Sequence, residues 1–408
     1  MKTNRMRTWL LSSIAPWRRS RASALRGSKA NAIVCFILLL IPLQGFAAPI
    51  LRGVSEGQHW EITKITDGLG SPWGMTWIAP EQLIITQRPG TALKLDLNTG
   101  KQARISGLPK VAYRGQGGLL DVAISPDSLL IGNQLIGSEP WLYFTYSKPT
   151  QDGAVTTLAR ARLTQNNLTN WQDLLVTTSA TGTSRHFGSR IAFDQQGHVF
   201  FSVGDRGERP NGQDLTTHAG SIIRLNLDGS VPGSNPFVNQ TTARPEIWSY
   251  GHRNPQGMAY DPAHQRLWSI EHGPRGGDEI NLILKGRNYG WPVTSHGKEY
   301  WGPLDVGEAE EKPGIESPRT VYVPSIAPGS LLLYTGEAFP KWRGNLFAGA
   351  LKLQHLNRIS VSDDGKTREV ERLVGALNER IRALLQSPEG WIYFATDSGN
   401  LYRLAPAK

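Results

Sequence analysis

The chain has 408 residues, 44 of them basic and 34 acidic, for a formal net charge of +10. Eight of the basic residues and none of the acidic ones fall within the first 47 positions, so the remainder is nearly neutral and has no basic run dense enough to suggest a nucleic-acid partner. The one cysteine, Cys35, also lies in that opening segment, which excludes disulfides, thiolate metal sites and cysteine nucleophiles from the rest.

Residues 1–47 read as a secretory signal. A basic region is followed by the apolar run Ala32–Leu43 and then by Gly45-Phe46-Ala47. The apolar run is shorter than the about 20 residues that span a bilayer. Export to the periplasm or cell envelope is expected, with no stable membrane span in the mature chain. An uncleaved anchor, or a twin-arginine route through Arg18-Arg19, is the alternative. Residues 48–408 then form one catalytic domain.

From there one unit recurs: an apolar strand, a turn of Asp, Pro or Gly, and a second apolar strand. It appears at Trp73–Gln87, Leu119–Tyr146, Ile191–Gly204, Met258–Glu271, Leu331–Lys352 and Ile381–Asp397. Several copies continue into a third strand with a basic–apolar pair, as in Ile223-Arg224-Leu225 and Tyr402-Arg403-Leu404. Six units, none able to bury both faces alone, predict an all-β fold, a six-bladed β-propeller. Trp60–Ile65 would pair with the last blade and close the ring. A β-sandwich would use the same turn chemistry but leaves the six copies unexplained.

The chemistry-bearing residues cluster in the connections, where a rigid ring would present them at one mouth of its channel. In chain order these are Gln116 in a glycine-rich turn, Ser184-Arg185-His186, Gly204-Asp205-Arg206, then 251–257 and 272–279, Ser325-Ile326-Ala327, Lys352, and Arg380-Ile381-Arg382. Segment 251–291 is the densest. Arg253-Asn254 offers N–H donors for an anionic or quinoid ligand. The glycine-rich, acidic turn at 272–279 offers main-chain carbonyls and carboxylates, the hard oxygens that calcium prefers. The segment reads as the floor for an acidic organic cofactor bridged by a metal.

Ten motifs in order, GQGGLLD, GSRIAFD, GDRGERP, GSIIRLN, GHRNPQG, EHGPRGGDEINL, GRNYGWP, VPSIAP, GALK and ERIR, cover nearly all of the chain after residue 50. Together they resemble the soluble sugar dehydrogenases of the glucose/sorbosone dehydrogenase family that depend on pyrroloquinoline quinone (PQQ), and the aldose branch most. The resemblance implies a six-bladed propeller that oxidises an aldose at its anomeric carbon to the lactone, with PQQ and calcium as cofactors. Electrons would then pass to an acceptor that the sequence does not identify. His186 matches the general base, Asp205 the acid that orients it, and Arg253 and Asn254 the contacts to the reactive quinone carbonyl. Gln116, Lys352, Arg380 and Arg382 match residues that hold the cofactor. Tyr300, Ser325, Ile326, Ala327, Ala350 and Leu351 match further cofactor contacts. The carbonyls of Gly273 and Pro274 match calcium ligands beside PQQ, and Glu279 and Tyr289 a further calcium site.

These roles make chemical sense. PQQ carries three carboxylates, which suits Lys352, Arg380 and Arg382, and the last two project to one side of a strand. The alternation of Leu351, Lys352 and Leu353 likewise points Lys352 to one face. A neutral His186 can serve as base. Three positions depart from the glucose-preferring pattern: Arg185 replaces an acid, His272 a glutamine and Val323 an aromatic residue. An open pocket, broad aldose use and a monomer are expected. A calcium-dependent lactonase and a non-catalytic ligand-binding propeller are the rival readings; neither needs the full set of His186, Asp205, Lys352, Arg380 and Arg382.

Overall fold

Each recurrent unit of the sequence forms the two inner strands of an antiparallel blade, four-stranded in blades 1–5 and five-stranded in blade 6. A computed structural model describes residues 48–126 and 140–407, together with the backbone of 130–131 and 134–135. Blade 1 comprises Pro72–Ala79, Gln82–Gln87, Thr91–Asp96 and Gln102–Arg104. Blade 2 is built from Leu119–Ile124, Trp141–Thr150, Gly153–Thr164 and Asn167–Val176, and blade 3 from Ile191–Phe193, His198–Val203, Ser221–Asn226 and Ile247–Tyr250. Blade 4 contains Pro255–Asp261, Arg266–Glu271, Asp278–Ile283 and Thr320–Tyr322. Blade 5 contains Pro328–Leu333, Leu346–Ala350, Leu356–Val361 and Thr367–Leu373. The signal expected at 1–47 lies outside the described residues.

Blade 6 joins the two ends of the chain. Ile381–Gln386, Ile392–Thr396 and Leu401–Pro406 are completed by Gln58–Thr66 and then Leu51–Ser55. The register sets Trp60 opposite Pro406 and Ile62 opposite Leu404. The segment expected to close the ring does so.

Burial follows the ring. The inner strand of blade 1 is buried along almost its whole length, whereas its outer strand Gln102–Arg104 is largely exposed. Six buried apolar clusters lie between successive blades. Ile78 and Ile84 of blade 1 meet Leu119, Val122 and Phe144 of blade 2 in one of them. Trp60, Phe394 and Leu404 of blade 6 meet Trp342, Phe347 and Leu356 of blade 5 in another. Each blade buries both faces only because it has two neighbours, so the ring must close to have a complete core. Among the described residues no helix is long and apolar enough to cross a membrane.

A buried guanidinium ties the blades together at the axis. Arg190, at the entry to blade 3, donates to Asp121 Oδ1 of blade 2 at 3.0 Å, to the Gln256 carbonyl of blade 4 at 3.0 Å and to the Gly329 carbonyl of blade 5 at 2.7 Å. Its Cζ lies 4.2 Å from the ring centroid of Trp73 in blade 1. Asp121 Oδ2 also accepts the Ile191 amide at 2.9 Å. Burial drives both partners toward their neutral forms, and their mutual attraction opposes it.

Candidate active site

Connections from all six blades, those before the first strand in each and those after the second in blades 1, 4, 5 and 6, converge on a hollow of about 450 Å³. Its lining comes from all six blades: Trp73 and Arg88, Gln116 and Leu120, Phe187 and Gly188, Asn254, Gln256 and His272, Ala327 and Leu351, and Arg380, Arg382 and Asp397. The volume suits an organic cofactor. Three guanidiniums stand against one carboxylate, so the lining is cationic. Trp73, Leu120 and Phe187 form an apolar cluster of their own in its wall.

Arg380 and Arg382 share Asp397. Arg380 Nε donates to Oδ2 at 2.9 Å, Arg382 Nε to Oδ1 at 2.9 Å and its second terminal nitrogen to Oδ2 at 3.2 Å. Arg380 also donates to the Leu351 carbonyl at 2.9 Å. Burial raises the Asp397 carboxyl, but the two guanidiniums outweigh it and hold it below the usual carboxylate range. Asp397 therefore fixes the two arginines side by side, Arg380 just before the strand and Arg382 within it. One carboxylate cannot neutralise both, so positive charge is left for an anionic ligand.

His186 and Asp205 lie on the connections before and after the inner strands of blade 3. His186 Nδ1 and Asp205 Oδ1 are 2.6 Å apart. Since an ionised carboxylate only accepts, the proton sits on Nδ1 and Nε2 carries the lone pair. Nε2 makes no hydrogen bond among the described residues. The His186 amide donates to Gln116 Oε1 at 2.7 Å, which ties the base to the wall of the hollow. The backbone at His186 is left-handed, with φ of 57°. Gly204 passes directly beneath; a Cβ there would come within 2.4 Å of the His186 carbonyl oxygen.

The electrostatics separate the pair's roles. Burial lowers the His186 pKa, the Asp205 hydrogen bond opposes this, and the positive charge of Arg253 lowers it further. Burial raises Asp205, but the His186 hydrogen bond and the Gly207 amide outweigh it and leave the pKa lowered. At neutral pH the pair is a neutral imidazole on a carboxylate.

The acids of the 271–279 turn hold the loops in place. Glu271 accepts from His252 Nδ1 at 2.9 Å, the Arg253 amide at 2.6 Å, the Asn254 amide at 3.3 Å and Asn281 Nδ2 at 3.2 Å. Asp278 accepts from the Gly273 amide at 3.0 Å, Ser325 Oγ at 2.6 Å and the Ala327 amide at 2.8 Å. Ser325 thus acts in the loop, while Ala327 lines the hollow. Asn254 Oδ1 accepts from the Gly188 amide at 3.2 Å, which leaves Nδ2 as a donor. Arg253 donates to the His272 carbonyl at 3.0 Å, and its Nε is buried without a partner. His272 donates through Nε2 to the Pro328 carbonyl at 2.6 Å, and burial pushes its pKa down to about 4.

Gly273, Pro274, Glu279 and Tyr289 line one small cavity with Glu271, Arg253 and Trp291. Glu279 stands directly opposite Glu271 in the ladder. Burial first, and then the Glu271 charge, push its pKa up to about 8. The Tyr289 hydroxyl is satisfied, donating to the Leu282 carbonyl at 2.6 Å and accepting the Leu284 amide at 2.7 Å, so only its carbonyl is available to an ion. The carbonyls of Gly273, Pro274 and Tyr289 accept no hydrogen bond among the described residues. Among the described residues no three His, Cys, Asp or Glu side chains converge as a metal cluster. The oxygens gathered here are main-chain carbonyls and two carboxylates.

Other expected contacts lie elsewhere. Lys352 is exposed and outside the hollow; its strand ends at Ala350, so the alternation of Leu351, Lys352 and Leu353 does not continue, and Leu351 takes the wall instead. Ile326 and Ala350 are wholly buried in the core between blades 4 and 5 and could reach a ligand only through their main chain. Tyr300 is 65% exposed on a loop beside Trp301 and does not line the hollow. Sequence reasoning gave no role to Trp73, Arg88, Asp121, Arg190, Trp291 or Asp397. Three of these lie inside quoted motifs: Asp121 ends GQGGLLD, Arg190 is in GSRIAFD and Trp291 is in GRNYGWP.

The ring, the cationic hollow and the His–Asp pair define a propeller that carries an acid–base pair beside a cationic mouth. A family model described as glucose/sorbosone dehydrogenase matches residues 69–403, and the chain belongs to that family. It is 37% identical over 352 residues to the aldose sugar dehydrogenase YliI of Escherichia coli (strain K12), covering 85% of this chain and 92% of the relative. It is 26% identical over 450 residues to quinoprotein glucose dehydrogenase B of Acinetobacter calcoaceticus, covering 89% and 92%. The crystal structure of the soluble aldose sugar dehydrogenase from Escherichia coli in the apo-form superposes with a TM-score of 0.80 at 35% identity, over 85% of this chain and 100% of that one.

Proposed function

We propose that the protein is a PQQ- and calcium-dependent aldose dehydrogenase, in which His186 removes the proton from the anomeric hydroxyl as the sugar is oxidised to its lactone. The observation that carries this reading is the neutral His186–Asp205 pair beside a cationic, apolar-walled hollow. The relatives' names, an aldose sugar dehydrogenase and a quinoprotein glucose dehydrogenase, support it.

The residues fit both cofactors. A flat tricarboxylate suits a hollow with Arg88, Arg380 and Arg382 in excess over Asp397, walls of Trp73, Phe187 and Leu351, and donors from Gln116 and Asn254. Calcium suits the free carbonyls of Gly273, Pro274 and Tyr289 and the carboxylate of Glu279, which stands opposite the Glu271 carboxylate. Bound PQQ would supply the acceptor for the hydride leaving the anomeric carbon, and calcium a fixed positive charge.

The chain's own residues do the rest. Asp205 fixes the tautomer that turns Nε2 of His186 toward the substrate and stabilises the imidazolium that forms when the proton is taken. The loop 251–254, clamped on Glu271, holds Arg253 where it can stabilise developing negative charge. Arg185 in place of an acid leaves no carboxylate to select one sugar, so a range of aldoses is accepted. Reduced cofactor would pass its electrons to an external acceptor. Export and a monomeric state belong to the same reading.

Adding PQQ and calcium to purified protein should switch on dye reduction that depends on aldose. Tight PQQ binding without dye reduction across an aldose panel would overturn the reading in favour of a non-redox function.

A further inference from the structure

The Asp205 carboxylate is held by more than His186. Oδ1 is shared by His186 Nδ1 at 2.6 Å and the Gly207 amide at 2.6 Å. Oδ2 accepts the indole N–H of Trp291 at 2.7 Å, from a loop 86 residues further along the chain. Trp291 is itself buried and fixed. Its amide donates to the Gly251 carbonyl at 2.9 Å and its carbonyl accepts Gln213 Nε2 at 2.8 Å. The Arg253 guanidinium lies 5.2 Å from its ring centroid and that of Arg209 lies 5.7 Å away. Glu299 grips Arg209 through two bonds of 2.7 and 2.8 Å. Gly212 leaves room for the ring; a Cβ there would meet the Trp291 carbonyl oxygen at 2.3 Å and Cδ1 at 3.0 Å.

We propose that Trp291 is a positioning residue of the active site: its indole N–H pins Asp205 so that the carboxylate holds His186 with Nε2 free for the substrate. The inference rests on the reading of His186 as the base. The physical basis is that a carboxylate with both oxygens engaged cannot rotate away from the imidazole, and that each N–H donor draws charge from the carboxylate. The second effect tunes the base. With the indole donor present, Asp205 stabilises the imidazolium less than a bare carboxylate would, so His186 stays neutral to lower pH. The charged groups around the pair are Arg185 and Arg253 on the His186 side and Arg206, Glu208 and Arg209 on the Asp205 side.

Trp291→Phe keeps an aromatic ring between the two arginines and removes only the donor. The test is the His186 titration in the full-length protein, followed by NMR of nitrogen-labelled histidine in the absence of substrate. Loss of the donor should raise the His186 pKa by about one unit, and the acid limb of the kcat/KM profile should move up with it. A purely structural role would lower activity uniformly and leave the titration where it was; that result overturns the proposal. A second measurement needs no variant: the Trp291 indole N–H resonance of the wild-type protein should shift with the protonation of His186, and an indifferent resonance also overturns it. Failure of the base reading looks different. In that case the titration moves in Trp291→Phe, but His186→Ala retains sugar turnover.

Discussion

The Arg190–Asp121 pair predicts a large and specific loss of stability. Asp121→Asn is nearly isosteric, but its amide nitrogen cannot accept from Arg190, and its one oxygen must serve either the guanidinium or the Ile191 amide. The guanidinium stays buried, still bound to the Gln256 and Gly329 carbonyls but without a counter-charge. Removing one partner of a buried ion pair costs about 3–5 kcal/mol. With an unfolding entropy of about 2.1 cal/mol/K per residue over roughly 360 ordered residues, that lowers the melting temperature by about 4–7 °C. Differential scanning calorimetry at neutral pH would measure it. Because the pair couples two sites, Asp121→Asn combined with Arg190→Met should be less destabilised than the sum of the single variants. An Asp121→Asn protein that melts with the wild type, or strictly additive single variants, would refute the idea that this charge pair joins the blades at the axis.

His186→Ala should abolish turnover while leaving PQQ binding intact, since the imidazole acts on substrate and not on the cofactor's carboxylates; a titration of PQQ alongside dye reduction separates the two. Because burial lowers the His186 pKa and the working base is neutral, kcat/KM should hold below the ordinary histidine range and fall only at more acidic pH; an acid limb above that range would contradict it. Arg382→Ala should weaken PQQ affinity by about tenfold or more, through loss of a charged donor worth about 1.5–3 kcal/mol, whereas exposed Lys352→Ala should change it less; equal losses would place Lys352 in the hollow after all. Glu279 has its pKa raised to about 8, so in calcium-free protein its contribution to stability is present below the ordinary glutamate range and is lost as pH rises through about 8. Melting temperatures of the chelated protein across that window should fall for the wild type and stay flatter for Glu279→Gln, and calcium should restore the wild type most at the alkaline end.

Much of this molecule is written locally. Alternation such as Ile191–Phe193 followed by His198–Val203, with an acidic turn between, specifies two paired strands, and six repetitions specify the ring. Arg380 and Arg382 flank Ile381 at the start of a strand, so their spacing keeps them close, and the shared Asp397 holds both on one side. His186 and Asp205 flank one pair of inner strands, so a single blade brings them to the same end. Lys352 is less legible: its strand ends at Ala350, alternation carries no information past a strand end, and the side chain is exposed.

The sequence by itself therefore determined the six-bladed ring, the mouth that carries its loops, and the cationic and acid–base groups expected there. Only the tertiary structure decided which distant groups meet: Arg190 on Asp121 across 69 residues, Trp291 on Asp205 across 86, and two arginines on one Asp397. The reason is physical. Strand period and turn chemistry are properties of neighbouring residues, whereas these contacts depend on the angle and depth at which blades pack, which is set by the apolar clusters between them and has no local signature.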